Sequence, residues 1–426
     1  MRAALDAILK RFITHGRLTV RWPDSSLTTY GGPPGSAPEA WLRVRDAATV
    51  RRLLLNPALA VGECYMEGGL APEGGDIYQL LDVLVLNLSA NAGGHPVAKL
   101  RASLGAARRR IDQHNPAPRA RRNVAHHYDL NGRLYSLFLD RDRQYSCAYF
   151  PRGDETLEEA QAAKKHHIAA KLCLSRPDLT VLDIGSGWGG LALTLARDYG
   201  ARVLGVTLST EQLAESRARA EAEGLADRVR FELTDYRAVN ERFDRVVSVG
   251  MFEHVGVVHY REFFATLARC LKPDGVALLH AIGRNDRPGN TAPWIGKYIF
   301  PGGYCPALSE VFPAIERSGL LTTDMEILRL HYAETLRHWR RRFAANRDAI
   351  AALYDERFCR MFEFYLAGSE LSFRRENMIV FQIQLARDQA AVPLTRHYII
   401  ETERRIAQGV AVAPVPAHAL RRSPSP

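Results

Sequence analysis

At 426 residues, 46% of them hydrophobic and 24% charged, the chain has a globular composition and enough length for two domains, which excludes wholesale disorder. A formal net charge of +10 puts two anionic partners first, nucleic acid and the surface of an anionic membrane. The six cysteines, Cys64, Cys147, Cys173, Cys270, Cys305 and Cys359, form no CxxC pair and no zinc-type cluster with histidine, a pattern of free thiols in a reducing compartment with no metal site.

The opening MRAALDAILKRF does not read as a signal peptide, because Asp6 and Lys10 interrupt any apolar run. Leu5, Ile8, Leu9, Phe12 and Ile13 share one helical face, which either packs on its own domain or touches lipid. A strand-like GRLTVRW and the Gly/Pro loop GGPPGSAP follow, and mixed helical and alternating patterns continue to about Leu88. The most apolar window, IYQLLDVLVLNL, is broken by Asp82 and Asn87 and is too short to span a bilayer. These features predict a small N-terminal α+β accessory domain over 1–98. Lys99, Arg101, Arg108, Arg109, Arg110, Arg119, Arg121 and Arg122 against Asp112 then make 99–122 a basic linker, whose charge suits either an anionic partner or simple solvation.

From Leu179 the pattern changes. TVLDI, ARVLGVT, VRFEL, FDRVVSVG and GVALLHAI are short apolar runs separated by amphipathic stretches such as STEQLAESRARAEAEG, which predicts an α/β domain with a largely parallel sheet. A helical insertion from about His338 to Gly368 precedes a closing strand, NMIVFQIQLA, so this domain spans 123–390. Residues 391–426 read as a tail that is partly disordered, Pro-rich from Val410 and ending in RRSPSP.

VLDIGSGWGG places a Gly-rich turn after the first strand and before a helix, where a ligand can approach the backbone at the helix N-terminus. With Asp183 in the strand ahead of Gly185, Gly187, Trp188 and Gly189, it resembles the loop of Rossmann-like methyltransferases that bind S-adenosylmethionine. The second strand ends in Thr207, Ser209 and Gln212 without the acidic residue that a nicotinamide dinucleotide would need. Asp235 and Tyr236, after the third strand, are placed to meet an adenine. After the fourth strand, SVGMFEHVG stands where a base N-methyltransferase would carry an Asn/Asp-Pro-Pro-Tyr/Phe motif, which argues against nucleic acid as the partner.

NVAHHYDL, YSCAYF, VLDIGSGWGG, GVTLSTEQ, GMFEHVG, YIFPGG and FRRENMIVFQIQLAR, in that order, resemble cyclopropane-fatty-acyl-phospholipid synthase and its mycolic-acid relatives from Asn123 to Arg387. The resemblance implies methyl transfer from S-adenosylmethionine to the cis double bond of an unsaturated phospholipid acyl chain, with bicarbonate as the base that lets the ring close. An outcome that stops at a methylene- or methyl-branched chain uses the same machinery. By resemblance, Cys147, Glu253, His280, the backbone of Ile282 and Tyr332 hold the bicarbonate, so the thiol of Cys147 is not a nucleophile. Tyr145 and Ser146 match positions that contact the cofactor, and His126, His127 and Tyr128 would shape its lid. The adjacent His166 and His167 read as a solvated helix face. The implied setting is cytoplasmic and peripheral to the membrane, with a homodimer possible by the same resemblance.

Overall fold

The computed structural model describes residues 1–91 and 132–408. The basic run 99–122, the lid candidates His126, His127 and Tyr128, and the tail from Val410 lie outside the described residues. The described chain divides into two compact units, one made of 1–91, 289–301 and 332–378, the other of 132–288, 302–331 and 379–408.

The first unit holds a four-stranded sheet, β1 (Arg17–Arg21), β2 (Leu27–Gly31), β3 (Glu39–Val44) and β4 (Leu70–Glu73), in the order β2-β1-β3-β4. Strand β3 alternates strictly, with Ala40, Leu42 and Val44 turned inward, as a sheet with one buried face requires. Asp46 starts the helix Ala47–Leu55 by accepting the Thr49 N–H at 2.8 Å, a cap worth about 1 kcal/mol. The first helix, Arg2–Phe12, buries Leu5 and packs Leu9 and Phe12 on the core of this unit, while Ile8 faces outward. That core also takes Ala367 and Leu371 from the helix Glu356–Arg375. The late helical segment, read from sequence as an insertion in the catalytic domain, is thus grouped by packing with the N-terminal segment.

The second unit is built on β5 (Thr180–Ile184), β6 (Arg202–Thr207), β7 (Val229–Leu233), β8 (Phe243–Val249), β9 (Leu271–Arg284), β10 (Leu321–Ile327) and β11 (Met378–Ala386). Their order is β10-β11-β9-β8-β5-β6-β7, and β5 pairs in parallel with both β6 and β8. The parallel set extends through β6–β7 and β8–β9, and β10 runs antiparallel to β11. Leu182, Ile184, Leu204, Val206 and Val246 face one apolar cluster, and Val181, Val203, Val229 and Val247 face another. Both faces are covered, so the strands read as unbroken apolar runs. The chain leaves β5 toward β6 and returns to β8 on its other side, which makes the C-terminal end of β5 the switch point where α/β sheets bind ligands. Among the described residues no helix is long and apolar enough to cross a membrane.

Candidate active site

A cavity opens at that switch point. The turn after β5 carries Gly185, Gly187 and Gly189 at positive φ and leads into the helix Gly190–Tyr199. A Cβ on Gly187 would meet nothing within 4 Å, so the backbone there is open to a ligand; one on Gly189 would press into Phe231 and Ser216 at 2.7 and 2.9 Å. Gly189 is therefore a packing glycine. Asp183, Gly185, Gly187, Trp188, Thr207, Gln212, Asp235, Tyr236, Tyr145 and Ser146 all line the cavity. Gly189 and Ser209 are not among its lining residues. The Ser209 hydroxyl instead caps the helix Thr210–Ala222 by accepting the Gln212 N–H at 3.3 Å.

Local bonds set the polarity of the walls. The Thr207 hydroxyl donates to Gln212 Oε1 at 2.8 Å, and Asp235 accepts two bonds from the Arg237 guanidinium at 2.9 and 2.6 Å. Arg143 lies over the Trp188 ring at 5.3 Å, and Tyr135 meets both Trp188 and Tyr145. Asp183 is 2% exposed, its Oδ2 has no hydrogen-bond partner, and burial raises its pKa to about 7.

Glu253 comes next, in the short turn Phe252–His254 beyond β8. Its Oε1 accepts the Ile282 N–H at 2.6 Å, while Oε2 is buried without a partner. Burial pushes this carboxyl up to about 7. His280 pairs with Val249 across β8 and β9, two residues before Ile282 and so on the same face of the strand. Burial holds its pKa well below the usual histidine value. The ring is therefore neutral, and Gln382 Nε2 lies 3.0 Å from Nδ1. If the amide donates there, the ring proton sits on Nε2 and is available as a donor. Cys147 is 1% exposed, with its Sγ 3.2 Å from the Ala148 carbonyl. Its neighbour Ser146 lies beside the end of β8, close to Gly250.

The backbone of Ile282 is tied to the same group, because its N–H is the one that Glu253 accepts. Tyr332 belongs to the other compact unit, where its ring meets Trp339 at 5.8 Å and Phe373 at 5.0 Å. One correction concerns the helix Leu157–Lys171. His167 is 3% exposed, and Lys164, Lys165 and Lys171 are buried with it, so this is no solvated face. Lys164 was the residue to notice. It stands seven positions after Leu157 and four before Ile168, in phase with the buried side of the helix. His254, which lines the cavity, was also missed; burial drops its pKa to about 4.

Comparison with known proteins gives four further findings. The family described as mycolic acid cyclopropane synthetase matches residues 116–383. The chain is 40% identical over 353 residues to cyclopropane-fatty-acyl-phospholipid synthase of Escherichia coli K12, covering 83% of this chain and 89% of that protein. It is 36% identical to the tuberculostearic acid methyltransferase UfaA1 of Mycobacterium tuberculosis, covering 91% of each. Among solved structures, the mycolic acid cyclopropane synthase CmaA1 complexed with SAH and CTAB superposes with a TM-score of 0.60 at 34% identity, over 64% of this chain and 99% of that one.

Proposed function

The chain belongs to the mycolic acid cyclopropane synthetase family and is an S-adenosylmethionine-dependent methyltransferase, and from that premise we propose that it methylates the cis double bond of unsaturated phospholipid acyl chains and closes a cyclopropane ring. S-adenosylmethionine, when bound, supplies the electrophilic methyl group, and bicarbonate the base that removes a proton from it after transfer. The observation that carries the reading is Glu253, whose second carboxylate oxygen is buried and unpartnered while the first accepts the N–H of Ile282, two residues along β9 from the neutral His280.

That arrangement fits a small hydroxylated anion. An orphaned carboxylate oxygen is an acceptor for its hydroxyl, and a neutral histidine with a free N–H is a donor to its oxygens. Cys147, by family position, lines the site as a small polarizable wall. An alkene is a weak nucleophile, so the residues must align it with the methyl and exclude water, and the Glu253 carboxylate favours the cation that develops on the acyl chain. The aromatic cluster of Tyr135, Tyr145 and Trp188 adds faces able to meet positive charge. The first unit, in this reading, is the accessory part that meets the membrane or a second copy, and the enzyme works at the cytoplasmic face of the membrane.

A second outcome has its own support, because the relative covered over 91% of its length is a tuberculostearic acid methyltransferase. The same methylation would then end in a methylene- or methyl-branched chain. Ring and exocyclic methylene are isomers, so mass does not separate them. Purified protein is incubated with methyl-labelled S-adenosylmethionine and vesicles of cis-monounsaturated phospholipid, and the released fatty acids are examined by gas chromatography and proton NMR. High-field ring protons are expected. Exocyclic methylene signals would transfer the proposal to the branched product, and absence of label in lipid would sink both.

A further inference from the structure

Lys164 is 1% exposed, in the middle of the helix Leu157–Lys171. Its ammonium group carries three donors and no acceptor. It gives one bond to Gln144 Oε1 at 2.6 Å and another to Ser146 Oγ at 2.9 Å. Both acceptors belong to the segment that lines the cavity. Gln161, one turn earlier on the same helix, holds that segment by its backbone, donating from Nε2 to the Gln144 and Ser146 carbonyls at 3.2 and 3.0 Å.

The bonds have a direction. A hydroxyl that accepts from an ammonium must aim its own proton elsewhere, and the Ser146 side chain stands on the cavity wall. The Gln144 amide is fixed in the same way, with its oxygen on Lys164 and its nitrogen donating to Asp142 Oδ2 at 3.1 Å. A lysine without exposure costs several kcal/mol in desolvation, which a methionine of similar length would avoid. Asp140 and Asp183 offset part of that cost. Burial lowers the ammonium's pKa to about 8, so it stays charged at neutral pH.

We infer that Lys164 is a positioning residue that turns the Ser146 hydroxyl into an oriented donor toward an anionic oxygen of the bound ligand. The inference rests on the reading of the cavity as the S-adenosylmethionine site, where the anionic oxygen is the carboxylate of the amino-acid portion. Lys164 itself touches no ligand.

The test compares two probes by isothermal titration calorimetry. S-adenosylhomocysteine carries the amino-acid portion, and 5′-methylthioadenosine has the same nucleoside thioether without it. Lys164→Met is expected to weaken S-adenosylhomocysteine about tenfold, the scale of one hydrogen bond to a charged group, and to leave 5′-methylthioadenosine within about twofold. Ser146→Ala should match it, the double variant should be no weaker than either single one, and Lys164→Arg should recover part of the loss. Equal weakening of both probes by Lys164→Met would make the lysine a plain structural support and overturn the inference, as would no weakening of either. Wild-type protein that binds 5′-methylthioadenosine but gains nothing from the amino-acid portion would also overturn it. Wild-type protein that binds neither probe would remove the cofactor reading itself.

Discussion

His167 and Glu253 are both buried, ionisable and in the same compact unit, yet their surroundings differ in kind. His167 has Glu403 at 2.5 Å from Nδ1 and Glu326 at 2.8 Å from Nε2. Glu326 also binds Lys171, which is 0% exposed, and Asp324 joins Lys171 at 3.5 Å and Arg396 at 2.6 Å. Every charge there has an opposite neighbour. Glu253 has one backbone bond and one bare oxygen. Burial by itself would depress His167, but the two carboxylates raise its pKa, whereas burial raises Glu253 with no cation near enough to oppose it. A satisfied buried cluster stabilises the fold, whereas a bare buried carboxylate oxygen leaves room for a partner that a ligand can supply.

The comparison breaks most visibly if the charged cluster is opened. Glu326→Gln leaves Lys171 with Asp324 alone and His167 with one carboxylate. The expected loss is about 3 kcal/mol, the low end for one partner of a buried pair because Asp324 remains, or roughly 6–12 °C in the unfolding midpoint of this unit. Binding of S-adenosylhomocysteine should hardly change. The sign with pH follows from both partners. The raised histidine contributes stability that is complete below its unfolded pKa and lost as pH rises through its folded one. The lowered Glu326 contributes above its unfolded pKa and loses that as pH falls. The defect of Glu326→Gln should therefore be largest between about pH 5 and 6. A midpoint unmoved there, followed by differential scanning fluorimetry, would show that the pairs only break even with their desolvation.

Glu253→Gln should act in the opposite direction on stability. The folded state holds the Glu253 proton more tightly than the unfolded chain does, so wild-type stability falls as pH rises from about 4.5 to 7. Glutamine keeps the acceptor for the Ile282 N–H and removes the buried charge. At pH 8 the variant should be the more stable protein by up to about 3 kcal/mol, and the gap should close toward pH 5. Turnover should fall at least about 100-fold, or about 2.7 kcal/mol in the barrier, with S-adenosylhomocysteine affinity within about threefold. A variant that is both active and more stable would show the bare oxygen to be a packing defect.

What could be read before folding follows from the range of each interaction. The strands of the second unit were legible because burial on both faces writes unbroken apolar runs, and TVLDI and VRFEL coincide with β5 and β7. The glycine turn was legible because backbone conformation is local. The bonds that define the site were not, since Glu253 meets Ile282 across 29 residues and His280 meets Gln382 across 102. His166 and His167 looked solvated because KKHH is polar and the carboxylates that neutralise His167 lie 159 and 236 residues away. Part of the presumed tail is the helix His397–Ala407, which supplies Glu403 to that histidine. Nothing in HYIIETERRIA names its partner, and only the three-dimensional fold brings the two helices together.

Cys147 tests the comparison at its finest grain, because it is fully buried like the charged cluster but is proposed as a wall of the unsatisfied site. A thiol that only fills space should tolerate serine at the cost of a polar group that must find a partner, about 1 kcal/mol, and the Ala148 carbonyl beside Sγ is available for it. Cys147→Ser should then lower turnover by about three- to tenfold, the rate equivalent of that energy with some loss of fit around the anion. The thiol would be doing chemistry if serine abolished turnover and intact-mass analysis of the wild-type protein caught an acyl adduct on Cys147 after incubation with lipid. Unmodified mass alongside a several-fold rate loss is the expected pair of results. It would place the cysteine as a wall of the site, with Glu253 left as the group whose missing partner the ligand supplies.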